Sequence, residues 1–218
     1  MNIKTFFEFW LKTFFILCFT FSFITLSVYF TLLFKPLYYM DINVLNIEGS
    51  TNLNKGELKA NYDYLITYLT KNTSEEFNLP TLPSSDHGKI HFKEVKVIFD
   101  KLKIMLFFSI LVSILGVLVN KRHKKIRYLL SSSIVLIVIP IMLLIPFIVN
   151  FDKSFTVFHQ IFFNNDYWLF DITTDPIITI LPQNFFFHCS LLIIFSIIII
   201  SITLRCIYKA QYKKQHSL

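Results

Sequence analysis

Glycine is scarce in this chain, with four residues in 218; so are cysteine, with three, and charge, at 16% of positions. Each shortage excludes something. The four glycines form no phosphate-cradling loop and no G-x-S-x-G nucleophile elbow. Cys18, Cys189 and Cys206 all lie in or beside apolar stretches, so the segments between those stretches hold neither a disulfide nor a thiol nucleophile. A soluble domain carries about 25% charged residues, well above the level here. Few glycines and seven prolines exclude a collagen-like chain or a linker. At 54% hydrophobic, with 26 Phe, the chain is too apolar to be disordered. Its apolar residues fall in blocks, which a soluble core does not need. The class is therefore a mainly α polytopic membrane protein, with one domain in the bilayer and a small one outside it.

Four blocks qualify as spans: Trp10–Phe34, Ile104–Val119, Tyr128–Val149 and Phe185–Leu204. A span needs about 20 apolar residues, and the second block, the shortest, extends back through Leu102. The first block is too long for a signal-peptide core, and no A-x-A-like site follows it, so it is expected to stay as a span. Cys18 follows Phe14-Phe15-Ile16-Leu17, which is no lipobox. Charge sets the orientation. The termini and the 120–127 loop carry 11 Lys and Arg against Glu8 alone. Residues 35–103 carry nine Lys and nine acids, and residues 151–184 carry Lys153 against four aspartates. Both termini are thus expected in the cytoplasm, with the two longer connections outside. The basic loops read as topogenic charge in contact with anionic membrane lipid, not as a nucleic-acid surface. The expected organisation is residues 1–34 (N-terminus and first span), 35–103 (extracytoplasmic domain), 104–150 (second span, basic loop, third span), 151–184 (extracytoplasmic amphipathic helix and loop) and 185–218 (fourth span and basic tail).

Within 35–103, the alternation from Asp41 to Ile47 suggests a short strand. Asn52–Leu69 has helical periodicity, with Leu58, Tyr62, Leu65, Ile66 and Leu69 on one face. Pro80 and Pro83 bracket a turn. Residues 89–103 form a helix running into the second span, with His91 centred on the apolar face among Val95, Ile98, Phe99 and Leu102. In 151–166, Phe151, Phe155, Phe158 and Phe162 make a stripe at helical spacing with His159 at its edge, suited to the headgroup boundary. The apolar run Ile177–Leu181 reads as an irregular or re-entrant segment on the membrane surface.

His91 and His159 are the candidate chemical groups. Alone, each reads first as a hydrogen-bonded core residue. If they converge, imidazoles supply a general base and acid near neutral pH. A metal reading, with His87, His91 and His159 as ligands, is weakened by Gly88 and by the missing Glu of an H-E-x-x-H pattern. Ser85-Asp86-His87 holds three triad residue types but cannot form a triad from adjacent positions. His188 reads as an interfacial residue, and His123 and His216 as solvated. No span carries a buried acid or Lys at its middle, which argues against an ion-coupled transporter.

The stretch Phe158-His159-Gln160-Ile161-Phe162-Phe163-Asn164-Asn165-Asp166-Tyr167-Trp168-Leu169-Phe170-Asp171, followed by Asp175, Leu181-Pro182 and Phe185-Phe186, resembles the signature of the lipoprotein intramolecular transacylase family of bacterial membranes. Asn61-Tyr62-x-x-Leu65-Ile66-x-Tyr68-Leu69, His91-Phe92-Lys93-Glu94-Val95-Lys96, the four spans and the length resemble it too. Glu94 departs from the family pattern, where Asp is expected. The resemblance implies a cell-membrane acyltransferase with no cofactor and no metal, whose substrate is a diacylglyceryl-modified lipoprotein. The sn-2 acyl chain moves to the N-terminal Cys amine and gives the lyso-form, at a site on the outer membrane interface. It implies His91 and His159 as the catalytic pair. Glu94, Asn165, Asp166, Trp168 and Asp171 are candidates for orienting an imidazole or holding substrate. A monomer is favoured. The rival from another class is a non-catalytic scaffold or sensor that binds lipid or a protein partner through its outer domain.

Overall fold

The computed structural model describes residues 3–72 and 74–217. In chain order the α-helices are α1 (Ile3–Leu33), α2 (Pro36–Val44), α3 (Lys55–Thr70), α4 (Asp86–Arg122), α5 (Arg127–Val149), α6 (Phe151–Phe162), α7 (Ile177–Ile180) and α8 (Gln183–His216), with one 3-10 turn at Glu48–Ser50. Among the described residues there is no strand. Helices α1, α4, α5 and α8 are long and apolar enough to cross a membrane, and each matches one of the four expected blocks, α1 ending one residue before the end of its block. With 37 residues, α4 is about 55 Å long at about 1.5 Å per residue, against about 30 Å of hydrocarbon. The excess is its first part, Asp86–Lys103, ahead of the apolar stretch that begins at Ile104.

The chain divides into two compact units. The first takes the described residues up to Tyr29, then Lys103–Ile145, and those from Ile193 onward. Its core is Phe15, Phe19, Leu129, Leu136, Ile197 and Leu204. Small polar residues tie its helices. Ser22 Oγ donates to Ser109 Oγ at 3.1 Å, and Ser201 Oγ donates to the Ser133 carbonyl at 2.8 Å. Such bonds matter where no hydrophobic effect drives helix against helix. Phe107, Leu115, Leu143 and Phe195 point outward and are exposed, as lipid-facing side chains must be.

The second unit is Phe30–Leu102 and Pro146–Leu192. Its core gathers Tyr38, Ile42, Leu58, Tyr62, Leu65, Phe77, Phe92, Ile177, Ile180 and Phe185. Tyr38 stacks on Tyr62 at 3.9 Å, and its hydroxyl donates to the Ile180 carbonyl at 3.0 Å. Helix α3 starts with a capping box: Asn54 accepts from the Gly56 and Glu57 amides, and Glu57 accepts from the Asn54 amide. Its predicted face, Leu58 to Leu69, is buried throughout. At the other end the buried Lys96 ammonium of α4 donates to the carbonyls of Tyr68 and Lys71, capping the last turn.

Two expectations change here. Residues 41–44 belong to α2 and are not a strand, because Pro36 at the first helical position presets the turn and Tyr38, Asp41 and Ile42 form its buried side. The chain leaves α2 at Asn46, which takes φ 49°. The run Ile177–Leu181 is not irregular throughout: it includes the short helix α7, whose Ile177 and Ile180 are buried in the core of this unit.

Candidate active site

The site is built on the start of α4 and on α6, both in the second unit. Ser85 caps α4: its Oγ accepts from the Gly88 amide at 3.0 Å. Asn150 caps α6 through the Lys153 amide at 3.0 Å. The Ser85-Asp86-His87 run is thus a helix start. His87 stacks on Tyr167 at 4.1 Å.

His91 and His159 come together. Their rings are 5.9 Å apart between centroids, and the residues are only 5% and 8% exposed. Aromatic side chains surround them. Phe163 lies 4.7 Å and Phe170 5.4 Å from His91; Phe155 lies 4.0 Å and Trp168 4.7 Å from His159. The Phe stripe of α6 is not the buried face. Phe158 and Phe162 are exposed, and His159 is the residue that α6 buries.

The hydrogen bonds differentiate the two imidazoles. His159 Nδ1 lies 2.7 Å from the Phe155 carbonyl. A carbonyl only accepts, so Nδ1 carries the hydrogen and Nε2 keeps its lone pair. His91 Nδ1 is buried with no partner. Burial pushes the His91 imidazole down to about 4, and the nearby His159 adds to the effect. Burial also holds His159 below its ordinary value, against the opposing pull of the Phe155 carbonyl. Both are neutral bases at pH 7.

Of the five supporting candidates, three gather at the pair. Asn165 Nδ2 donates to Glu94 Oε1 at 2.8 Å, Trp168 Nε1 donates to the Asn165 carbonyl at 3.0 Å, and Trp168 flanks His159. Glu94 Oε2 is buried with no partner. Asp166 and Asp171 are exposed. Asp171 accepts from the Thr173 amide and hydroxyl, which holds its carboxyl below the usual range. Asp171→Asn keeps an acceptor in that turn, so turnover is expected to stay within about twofold, as for other surface changes; a loss beyond about tenfold would give Asp171 a role at the histidines.

Two functional-looking pairs escaped the sequence reading. Asp175, buried, accepts from the Ser85 amide at 2.9 Å and so fastens the 163–176 loop to the start of α4. The signal was Gly88: a Cβ there would lie 2.1 Å from Asp175 Oδ1. His188, read as interfacial, also bonds the Asp41 carboxylate at 2.8 and 2.9 Å, with Asp41 only 3% exposed. Among the described residues, no three His, Cys, Asp or Glu side chains are grouped to hold a metal ion.

Four membrane-length apolar helices make this an integral multi-pass membrane protein, and the buried imidazole pair outside its apolar stretches is suited to proton transfer. The family pattern described as lipoprotein intramolecular transacylase Lit matches residues 13–186. The fold is similar to that of the membrane integral lipoprotein intramolecular transacylase Lit from Bacillus cereus, with a TM-score of 0.91 and 37% identity over 95% of this chain and 97% of that one. Structures of two variants of that protein, with a histidine replaced by arginine or by alanine, match with TM-scores of 0.88 and 0.90 and identities of 36% and 35%. The arginine variant pairs 98% of this chain with 97% of that one, and the alanine variant 99% with 98%. No curated protein is similar enough to count as a match. The chain belongs to the lipoprotein intramolecular transacylase family: it is a membrane acyltransferase of lipoprotein maturation.

Proposed function

We propose that this enzyme moves the sn-2 acyl chain of a diacylglyceryl-cysteinyl lipoprotein onto the α-amine of the same cysteine, leaving a lyso-form lipoprotein. The observation that carries the reading is the His159 Nδ1 bond to the Phe155 carbonyl, which turns a lone-pair nitrogen of a neutral imidazole toward its chemistry 5.9 Å from a second imidazole.

The amine nitrogen attacks the sn-2 ester carbonyl. A C–N bond forms, the C–O bond to glycerol breaks, the amine loses one proton and the glycerol oxygen gains one. His159 Nε2 takes that proton as base and returns it to the leaving oxygen as acid. His91, with a hydrogen on its Nε2, stabilises the tetrahedral oxyanion. Donor and acceptor sit on one molecule, so the aromatic walls mainly have to hold them in attack geometry. Aminolysis of an ester is downhill and needs no cofactor and no protein nucleophile. Eleven basic residues against Glu8 at the termini and the 120–127 loop support cytoplasmic termini, with residues 35–103 and 151–184 on the outer side of the membrane.

The test is mass spectrometry of a tryptic N-terminal lipopeptide from a host without other N-acylating enzymes, with and without this protein. The transfer leaves total mass unchanged and yields one amide-linked and one glyceryl-linked chain. Two chains still on glycerol, with the protein inserted, would overturn the reading.

A further inference from the structure

The aromatic walls of the site pose a difficulty for its own substrate. An α-amino group has a pKa of about 8, so at neutral pH it arrives as an ammonium, and moving a cation into an apolar pocket is costly without a counter-charge. The histidines cannot supply one, since an imidazole is either neutral or cationic. Among the described ring contacts of the pair, every other partner is Phe or Trp. The carboxylate linked to them is Glu94, three residues beyond His91 on the same side of α4 and bonded to Asn165, whose carbonyl accepts from the Trp168 indole beside His159.

Glu94 is held in a way that leaves half of it unused. Oε1 accepts from Asn165 Nδ2 at 2.8 Å, and Asn165 is itself fixed by the Tyr167 amide at 3.1 Å and by Trp168 Nε1 on its carbonyl. Oε2 is shut off from solvent and accepts nothing, and so is Nδ1 of His91. Orphaned buried acceptors are costly, and a carboxylate oxygen more than most. From this geometry and these two unpartnered acceptors, one on each residue, we infer that Glu94 is the docking residue for the α-ammonium of the substrate's N-terminal cysteine, with Oε2 and His91 Nδ1 each accepting one of its N–H bonds. This rests on the acyl transfer proposed above and adds what selects the acceptor. The third N–H is left for His159 Nε2. The N–H bond breaks, an Nε2–H bond forms, and that proton passes to bulk water, so the amine is free to attack. The titratable groups that face the ammonium are His91 and Glu94 from α4 and His159 from α6; the loop contributes Asn165, Trp168 and Phe170, none of them charged. An amine already acylated carries no charge and keeps a single N–H, so it loses the charge-assisted part of these contacts and Glu94 also disfavours finished product.

Binding tests this apart from turnover. The probe is a dialkylglyceryl-cysteinyl lipopeptide, whose ether-linked sn-2 chain cannot be transferred, compared with its N-acetyl twin. At pH 6.5 the native enzyme is expected to bind the free-amine form about 10- to 100-fold more tightly, the scale of charge-assisted hydrogen bonds. That preference should shrink as pH rises past about 8 and the ammonium disappears. Glu94→Gln should bind the two forms alike, and Glu94→Asp should keep the preference. A native enzyme that does not distinguish the twins, or a Gln variant that still does, would overturn the assignment. The native comparison needs no variant to fold. A preference found while lipopeptide mass spectrometry shows no N-acyl product would instead count against the acyl transfer and leave the ammonium site standing.

Discussion

His159→Ala is expected to lower N-acyl product formation by about 10²- to 10⁴-fold, the range for loss of a general base. The protein should remain folded and inserted, because α6 is capped at Asn150 and its exposed Phe face does not involve the imidazole. His91→Ala is expected to do the same through the oxyanion. The pH dependence gives a separate check. Burial holds both imidazoles below their ordinary value, His91 at about 4, so in the substrate-free enzyme they should titrate below pH 6.5, apart from the limb at about pH 8 that the substrate amine itself sets on the rate. Stability follows with a definite sign. Unfolded histidines titrate near 6.5, so between about 4 and 6.5 the unfolded chain binds more protons than the folded one. The imidazoles therefore cost no stability above about pH 6.5 and progressively more as pH falls toward 4. Turnover by His159→Ala within a few-fold of the native enzyme would remove His159 from the mechanism. An imidazole of the pair titrating at or above about 6.5 in the substrate-free enzyme would contradict the buried, neutral pair.

Gly88→Val is expected to be the most damaging change outside the histidines. A Cβ at Gly88 would lie 2.1 Å from Asp175 Oδ1 and 3.0 Å from its Cγ. The carboxylate cannot simply swing away, because it is buried and accepts from the Ser85 amide. Displacing it leaves a buried charge short of a donor and releases the loop that carries Asn165, Trp168 and Phe170. A charge-assisted bond of this kind contributes about 1.5–3 kcal/mol, and the β-branched side chain adds crowding in the first turn of α4. We expect a loss of about 2–3 kcal/mol, or about 5–10 °C in the apparent midpoint for a chain of this size. Gly88→Ala should lose less, since Ala recovers part of the deficit through its better helix propensity. Thermal unfolding in detergent measures both. An unchanged midpoint for the Val variant would mean that Asp175 has room to move and does not hold the loop.

The four spans were legible because length and apolarity are local properties that a bilayer reads directly. The inward face of α3 and the place of His91 were legible for a related reason: in a unit with a core of its own, periodicity points apolar residues inward. At α6 the same rule gives a stripe but not which side of it is covered. There an apolar stripe and a histidine compete for the inside, and periodicity alone cannot tell a face turned to a core from one left exposed. Phe158 and Phe162 took the outside and His159 the inside. Residues 41–47 offered too few positions for alternation to outweigh the helix start at Pro36. The carboxylate contacts were out of reach for another reason. Asp41 meets His188 from 147 positions away, and Asp175 meets Ser85 from 90; neither local sequence names its partner, and Gly88 marks a close approach without saying to what. Glu94 and Asn165, 71 positions apart, were named as candidates only because the family resemblance covers both segments.

The indole of Trp168 lies 4.7 Å from the His159 ring, and the sequence has one other tryptophan, Trp10. A protonated imidazole at that distance quenches excited indole, whereas a neutral one does so weakly. With Trp10 replaced by Phe, the emission of this enzyme becomes an optical readout of a single proton on the proposed base, available in detergent or in vesicles without any label. Titrating that emission downward from neutral pH would locate the His159 equilibrium directly, and repeating it with bound lipopeptide would show how far an arriving substrate moves it.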